Sequence, residues 1–238
     1  MQSEIDWLPY FGPMVGFAAV LALGDYAPPS AALPLMAARV AVPAGLFLYF
    51  FSKGSYPELK QGRLGSGAAL DVALGIAVAA LWMAPYLLFP GLRPGLDEAF
   101  DPAAAGEGSR MAMLALRLLG FAAVTPFVEE LLVRSFLLRA ADTYDTGQDF
   151  RELPIGRFAW RSFLVTVAWF TFTHSQWEWP VAFLTCVIYN LWLYRRKSIG
   201  ALILTHAATN AALFGAVAWG SGKISDANGD FPNLWFFL

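Results

Sequence analysis

Seven apolar runs, at about 8–23, 31–51, 68–90, 111–138, 161–175, 180–194 and 199–219, constrain this chain more than any other feature. Inside a bilayer every backbone N–H and C=O must be satisfied within the protein, so apolar runs of this length form helices. They predict an all-α, polytopic membrane bundle of about seven transmembrane helices. The fifth and sixth runs are short for a full crossing and only residues 175–180 separate them. That predicts a tight hairpin or a partly re-entrant pair. The chain is 58% hydrophobic and 14% charged, where a soluble domain has about 45–50% and about 25%. A net charge of -2 gives no reason to expect a nucleic-acid partner. The single cysteine, Cys186, excludes an intrachain disulfide and reads as a small buried hydrophobe.

Basic residues alternate between connections. The second carries Lys53, Lys60 and Arg63, the fourth Arg139, Arg151, Arg157 and Arg161, and the sixth Arg195, Arg196 and Lys197. The first and fifth have none, and the third balances two arginines against Asp97, Glu98, Asp101 and Glu107. The positive-inside rule then puts the even connections in the cytoplasm, with the N-terminus inside and the C-terminus outside. Glu4 and Asp6 precede the first run where a cleaved signal would be basic, so that span is expected to be retained. The Ala- and Gly-rich, Cys-poor composition suits a bacterial plasma membrane. Asp71 can reach the interface, whereas Arg39 lies mid-run and calls for a partner that the sequence does not name. No repeat or linker divides residues 1–238, which read as one membrane domain. Within it, 1–110 carry no motif and 111–220 form a helical core with the chemistry.

The fourth run holds Glu129, Glu130 and Arg134, at about 2.5–3.5 kcal/mol each on insertion scales. Glu130 and Arg134 stand one turn apart with the carboxylate N-terminal, so they face and neutralise each other. Glu129 points about 100° away and is left without a local partner. The chain's two histidines end the fifth run, as Phe170-Thr171-Phe172-Thr173-His174, and sit in the seventh, as His206-Ala207-Ala208-Thr209-Asn210. At 1.5 Å per residue from the expected cytoplasmic ends, Glu129 lies about 15 Å in, His174 about 20 Å and His206 about 12 Å. These depths predict one polar pocket near mid-membrane, open to the cytoplasm. Asn190 is close enough in depth to join it, although a packing hydrogen bond suits it better. A carboxylate can take a proton from water, a histidine can hold that water, and a second histidine with an amide can stabilise an oxyanion. Glu129, His174 and His206 could equally hold Zn²⁺, although the H-E-x-x-H helix is absent.

Glu-Glu-x-x-x-Arg at 129–134, Phe-x-x-x-His at 170–174 and His-x-x-x-Asn at 206–210, in that order on successive helices, resemble the three motifs of the CPBP family. These are the intramembrane proteases related to the CAAX prenyl endopeptidase and to bacteriocin-processing or immunity proteins. The resemblance implies an endopeptidase acting on a membrane-anchored protein or peptide, with Glu129 as general base and Glu130 and Arg134 in support. It further implies that His174 works with Glu129 on the water, while His206 and Asn210 stabilise the oxyanion. It commits to no cofactor, since the family has been described both with and without metal, and to neither a prenylated substrate nor an oligomeric state. The loop 140–160 is long for the family. Two other classes use the same residues: a non-catalytic immunity or assembly protein on the protease scaffold, and a proton-coupled transporter. The first would survive loss of Glu129, and the second needs a pathway through the bundle.

Overall fold

The computed structural model describes residues 7–24, 26–60, 67–95 and 99–238. Glu4, Asp6, Arg63, Asp97 and Glu98, on which the reading of the termini and connections drew, lie outside the described residues. Within them all regular structure is helical, in seven main helices: α1 Leu8–Gly24, α2 Ala32–Ser52, α3 Ala68–Leu88, α4 Glu107–Thr143, α5 Trp160–Phe172, α6 Trp179–Arg196 and α7 Ile199–Gly220. By length and composition α2, α3, α4 and α7 can each cross a membrane. The 13 residues of α5 span only about 20 Å, short of a hydrocarbon core of about 30 Å. A single 3₁₀ turn, Gln176–Glu178, then reverses the chain into α6, which gives the tight hairpin the short runs predict.

Side-chain bonds define two ends of the bundle. At one end Tyr56 donates to the Pro9 carbonyl at 2.6 Å, and Glu58 receives Ser135 and pairs with Arg139 at 3.6 Å. The loop after α4 is pinned there by Phe150, fully buried against Tyr10 and Phe136 at ring distances of 5.4 and 5.0 Å. Asp71, also fully buried, accepts from Trp192 and Arg196 at 2.9 Å each, in a structural ion pair at this end. This end carries the described basic residues of the second, fourth and sixth connections. At the other end Tyr86 donates to the Trp177 carbonyl at 2.6 Å, and Arg93 pairs with Asp226 at 2.6 Å. The segment that follows α7 folds back beneath it, with Phe236 and Phe237 buried against Tyr86 and Trp177.

Helices α3 and α7 approach each other closely, and glycine makes it possible. A Cβ on Gly75 would stand 2.4 Å from the Thr205 carbonyl oxygen and 2.9 Å from the Thr209 nitrogen. Through that gap Thr209 donates to the Gly75 carbonyl at 3.0 Å, and Tyr189 donates to Thr209 at 2.7 Å. These bonds fix the turn of α7 that carries His206 and Asn210.

Candidate active site

Helix α4 is α-helical over Thr125–Glu130, but π-helical on both sides, at Leu119–Val124 and Leu131–Leu137. Such wide turns are rare and cluster at functional sites. The first has a cause in sequence. Thr125 N–H bonds back to Gly120, and the next residue, Pro126, has no N–H to give. The Phe121 carbonyl is thereby left without a helical donor, and Asn210 supplies one from α7, its Nδ2 lying 2.7 Å away. The fixed end of the acid-bearing segment is thus tied to the third motif.

Glu130 and Arg134 are both fully buried and pair at 3.2 Å, as their spacing predicts. Arg134 also reaches the Asn190 oxygen at 3.4 Å and the Cys186 sulfur at 3.3 Å, with its guanidinium 4.5 Å from the Phe170 ring centre. Asn190 in turn donates to Thr166 at 2.9 Å, so it is a packing residue behind the site. The sequence did not disclose Glu130's second partner. His206 Nδ1 lies 2.8 Å from the same carboxylate oxygen that meets Arg134. The other oxygen, Oε2, is buried with no hydrogen-bond partner among the described residues.

Glu129 behaves as its angle on the helix predicts. It is half-buried, has no hydrogen bond among the described residues, and borders two adjoining cavities. The smaller, of about 100 Å³, is lined by Glu129, His174, His206 and Asn210 together, so the predicted meeting of the three motifs occurs. His174 sits just past the end of α5, where its Nδ1 lies 2.6 Å from the Phe170 carbonyl. A carbonyl only accepts, so Nδ1 carries a proton and Nε2 is the nitrogen left for other work. The same holds for His206 against the Glu130 carboxylate. Asn210 spends one amide hydrogen on Phe121 and keeps a second. Among the described residues no three His, Cys, Asp or Glu side chains gather into a group that could hold a metal ion.

The larger cavity, of about 390 Å³, runs from Glu129 and His174 between α1, α2, α4 and α5 to Arg39, Arg117 and Glu178. It leads away from the basic end. Towards that end lies a buried cluster including Leu131, Leu132, Phe136, Tyr189 and Leu202. Neither cavity is lined by a residue of the basic connections. Arg117 escaped the sequence reading, although a lone arginine in an apolar run is signal enough.

The class these features define is a polytopic helical membrane protein with a glutamate, two histidines and an asparagine around one buried cavity. Residues 111–212 match the family model described as type II CAAX prenyl endopeptidase Rce1-like. That stretch holds all three motifs, and the match supports a CPBP/CAAX protease family. No curated protein and no solved structure matches the chain.

Proposed function

We propose that this protein is an intramembrane endopeptidase that cuts a membrane-associated polypeptide with Glu129 as general base. One observation carries the reading: of the two adjacent carboxylates, Glu130 is consumed by Arg134 and His206, while Glu129 faces the cavity opposite His174. A water held between Glu129 and His174 Nε2 gives a proton to Glu129 as its oxygen attacks the peptide carbonyl carbon. The developing oxyanion accepts from the spare Asn210 N–H and, with both ring nitrogens protonated, from His206 Nε2–H. Glu129 then returns the proton to the amine as the C–N bond breaks, leaving a new carboxylic acid and a new amine. This route uses no metal; Glu129, His174 and His206, which line one cavity, are the residues that would hold one.

The positive-inside rule supports a cytoplasmic basic end. On that orientation the substrate reaches Glu129 sideways from the lipid or from the opposite half of the membrane. A proton-coupled transporter would need a continuous polar path, and the apolar packing beyond Glu130 weighs against one. The test is Glu129→Gln, which keeps size and hydrogen bonding but removes the base. Turnover of membrane peptides, followed by mass spectrometry, should fall about 10²–10⁴-fold with folding unchanged. Full activity in that variant overturns the assignment. Chelators should leave wild-type turnover intact, and a loss that Zn²⁺ restores would replace the metal-free route.

A further inference from the structure

The far end of the larger cavity holds two arginines that none of the three motifs includes. Arg39, from α2, and Arg117, from α4, both line it, and the Nε of each is buried with no hydrogen-bond partner among the described residues. Among the described residues, neither forms a salt bridge with an acid. Gly24 leaves room for the Arg39 guanidinium, since a Cβ there would meet Nη2 at 2.7 Å. Arg117 lies over the rings of Phe100 and Phe121 at 5.5 and 5.4 Å. The like-charged Arg39 and the acid Glu178 line the same cavity. Glu178, however, accepts from the Ser175 N–H at 3.0 Å, in the capping box at the start of its turn. Two cations side by side in an apolar, membrane-embedded space are costly, and the cost is relieved when an anion joins them.

We infer that Arg39 and Arg117 form an anion subsite that selects peptides bearing a carboxylate near the bond to be cut. The inference rests on the peptidase reading for the identity of the ligand. The remaining walls are apolar, including Met14, Phe17, Met36 and Val40, so the ligand is a hydrophobic peptide with one acidic group. A guanidinium fork matches a carboxylate with two parallel N–H donors. At about 390 Å³ the cavity falls within the size range of ligand sites, about 300–1,000 Å³. The carboxylate belongs either to a chain end or to an Asp or Glu side chain, and the experiment separates the two.

Binding is measured by calorimetry in neutral detergent on the Glu129→Gln protein, so turnover does not enter. The probes are one hydrophobic peptide with a free terminal carboxylate, its amidated form, and the amidated form with an internal Glu. One of the acidic peptides should bind about 10–100-fold more tightly than the amide, the worth of a charged hydrogen bond. Arg39→Gln and Arg117→Gln should each erase that preference while the amide binds as before. A preference for the terminal or for the internal carboxylate identifies its source, and either supports the subsite. Equal binding of all three peptides overturns it, as does a preference that survives in both arginine variants. If phosphatidylglycerol binds in an Arg117-dependent way and no peptide preference exists, the arginines hold a lipid phosphate and the inference also falls. Should one arginine variant not fold, the other still decides, beside the comparison of acid and amide on the Glu129→Gln protein with both arginines in place. Activity in Glu129→Gln would remove the catalytic reading without touching this result.

Discussion

His206 Nδ1 stands 2.8 Å from Glu130 Oε1, and this contact joins the first motif on α4 to the third on α7. Glu130 therefore serves two partners at once, Arg134 one turn along its own helix and His206 across the interface. On the proposed reading the two neighbouring glutamates divide the work, Glu130 as the tie and Glu129 as the reacting group.

Glu130→Gln should lower the yield of folded protein more than it lowers turnover per folded molecule. It leaves Arg134 buried without its counter-charge, a loss of about 3–5 kcal/mol for a buried pair. Glu130→Gln with Arg134→Met removes both charges and should recover part of the yield, read by size-exclusion chromatography and thermal melting. Normal amounts of inactive Glu130→Gln protein, beside an active Glu129→Gln, would exchange the two roles.

Asn210→Ala should lower turnover about 10²–10³-fold through loss of an oxyanion donor. It should also destabilise the fold by about 1–3 kcal/mol, because the Phe121 carbonyl at the π turn loses its donor. His206→Ala should lower turnover by a similar factor, so the melting temperature separates Asn210's structural share from its chemical one. A variant with full turnover would remove Asn210 from the site.

In a Cys186→Ala background, cysteines at Tyr144 and at Asp230 should label from opposite sides of the membrane. Tyr144 is 80% exposed at the basic end, and Asp230 is exposed at the far end beside Asp226. The basic connections predict that Tyr144 reacts from the cytoplasm. Labelling of both from one side would refute the bundle's orientation and its count of crossings.

The Arg93–Asp226 pair should make docking of the segment after α7 sensitive to acid. The Arg93 guanidinium, with the backbone N–H groups of Asn228 and Asp230, holds the Asp226 carboxyl below the usual carboxylate range. A carboxyl lowered in the folded state stabilises it fully above the unfolded value, about 3.9, and that gain fades as pH falls through the folded value. Hydrogen exchange over residues 221–238 should accelerate below about pH 4, and Asp226→Asn should exchange fast at every pH. Protection unchanged between neutral and acid pH would count against the pair as the anchor.

Much of this was legible in the sequence. Apolar runs mark the seven helices because membrane burial leaves backbone no other way to be satisfied. The spacing of Glu129, Glu130 and Arg134 is local geometry, so it foretells which carboxylate is paired and which is left over. What was not legible depends on distant packing. The bond from His206 to Glu130 needs the close approach of α3 and α7 that Gly75 permits, and no local pattern states it. The buried cluster round Leu132 and Phe136 is likewise a matter of how side chains from different helices fill one space. Arg117 differs from both, since its position in an apolar run was visible and its meaning came only with the cavity.

Helices α1 and α2 lie outside residues 111–212, yet Met14, Phe17, Met36, Arg39 and Val40 wall the larger cavity. The reacting groups and much of the wall beside them are therefore written in separate stretches of one chain. On the proposed reading, a change in the first stretch alters which peptides fit and leaves the reacting groups in place. A chimera that exchanges only the first two helices with those of a relative would inherit a new diet and keep the same teeth.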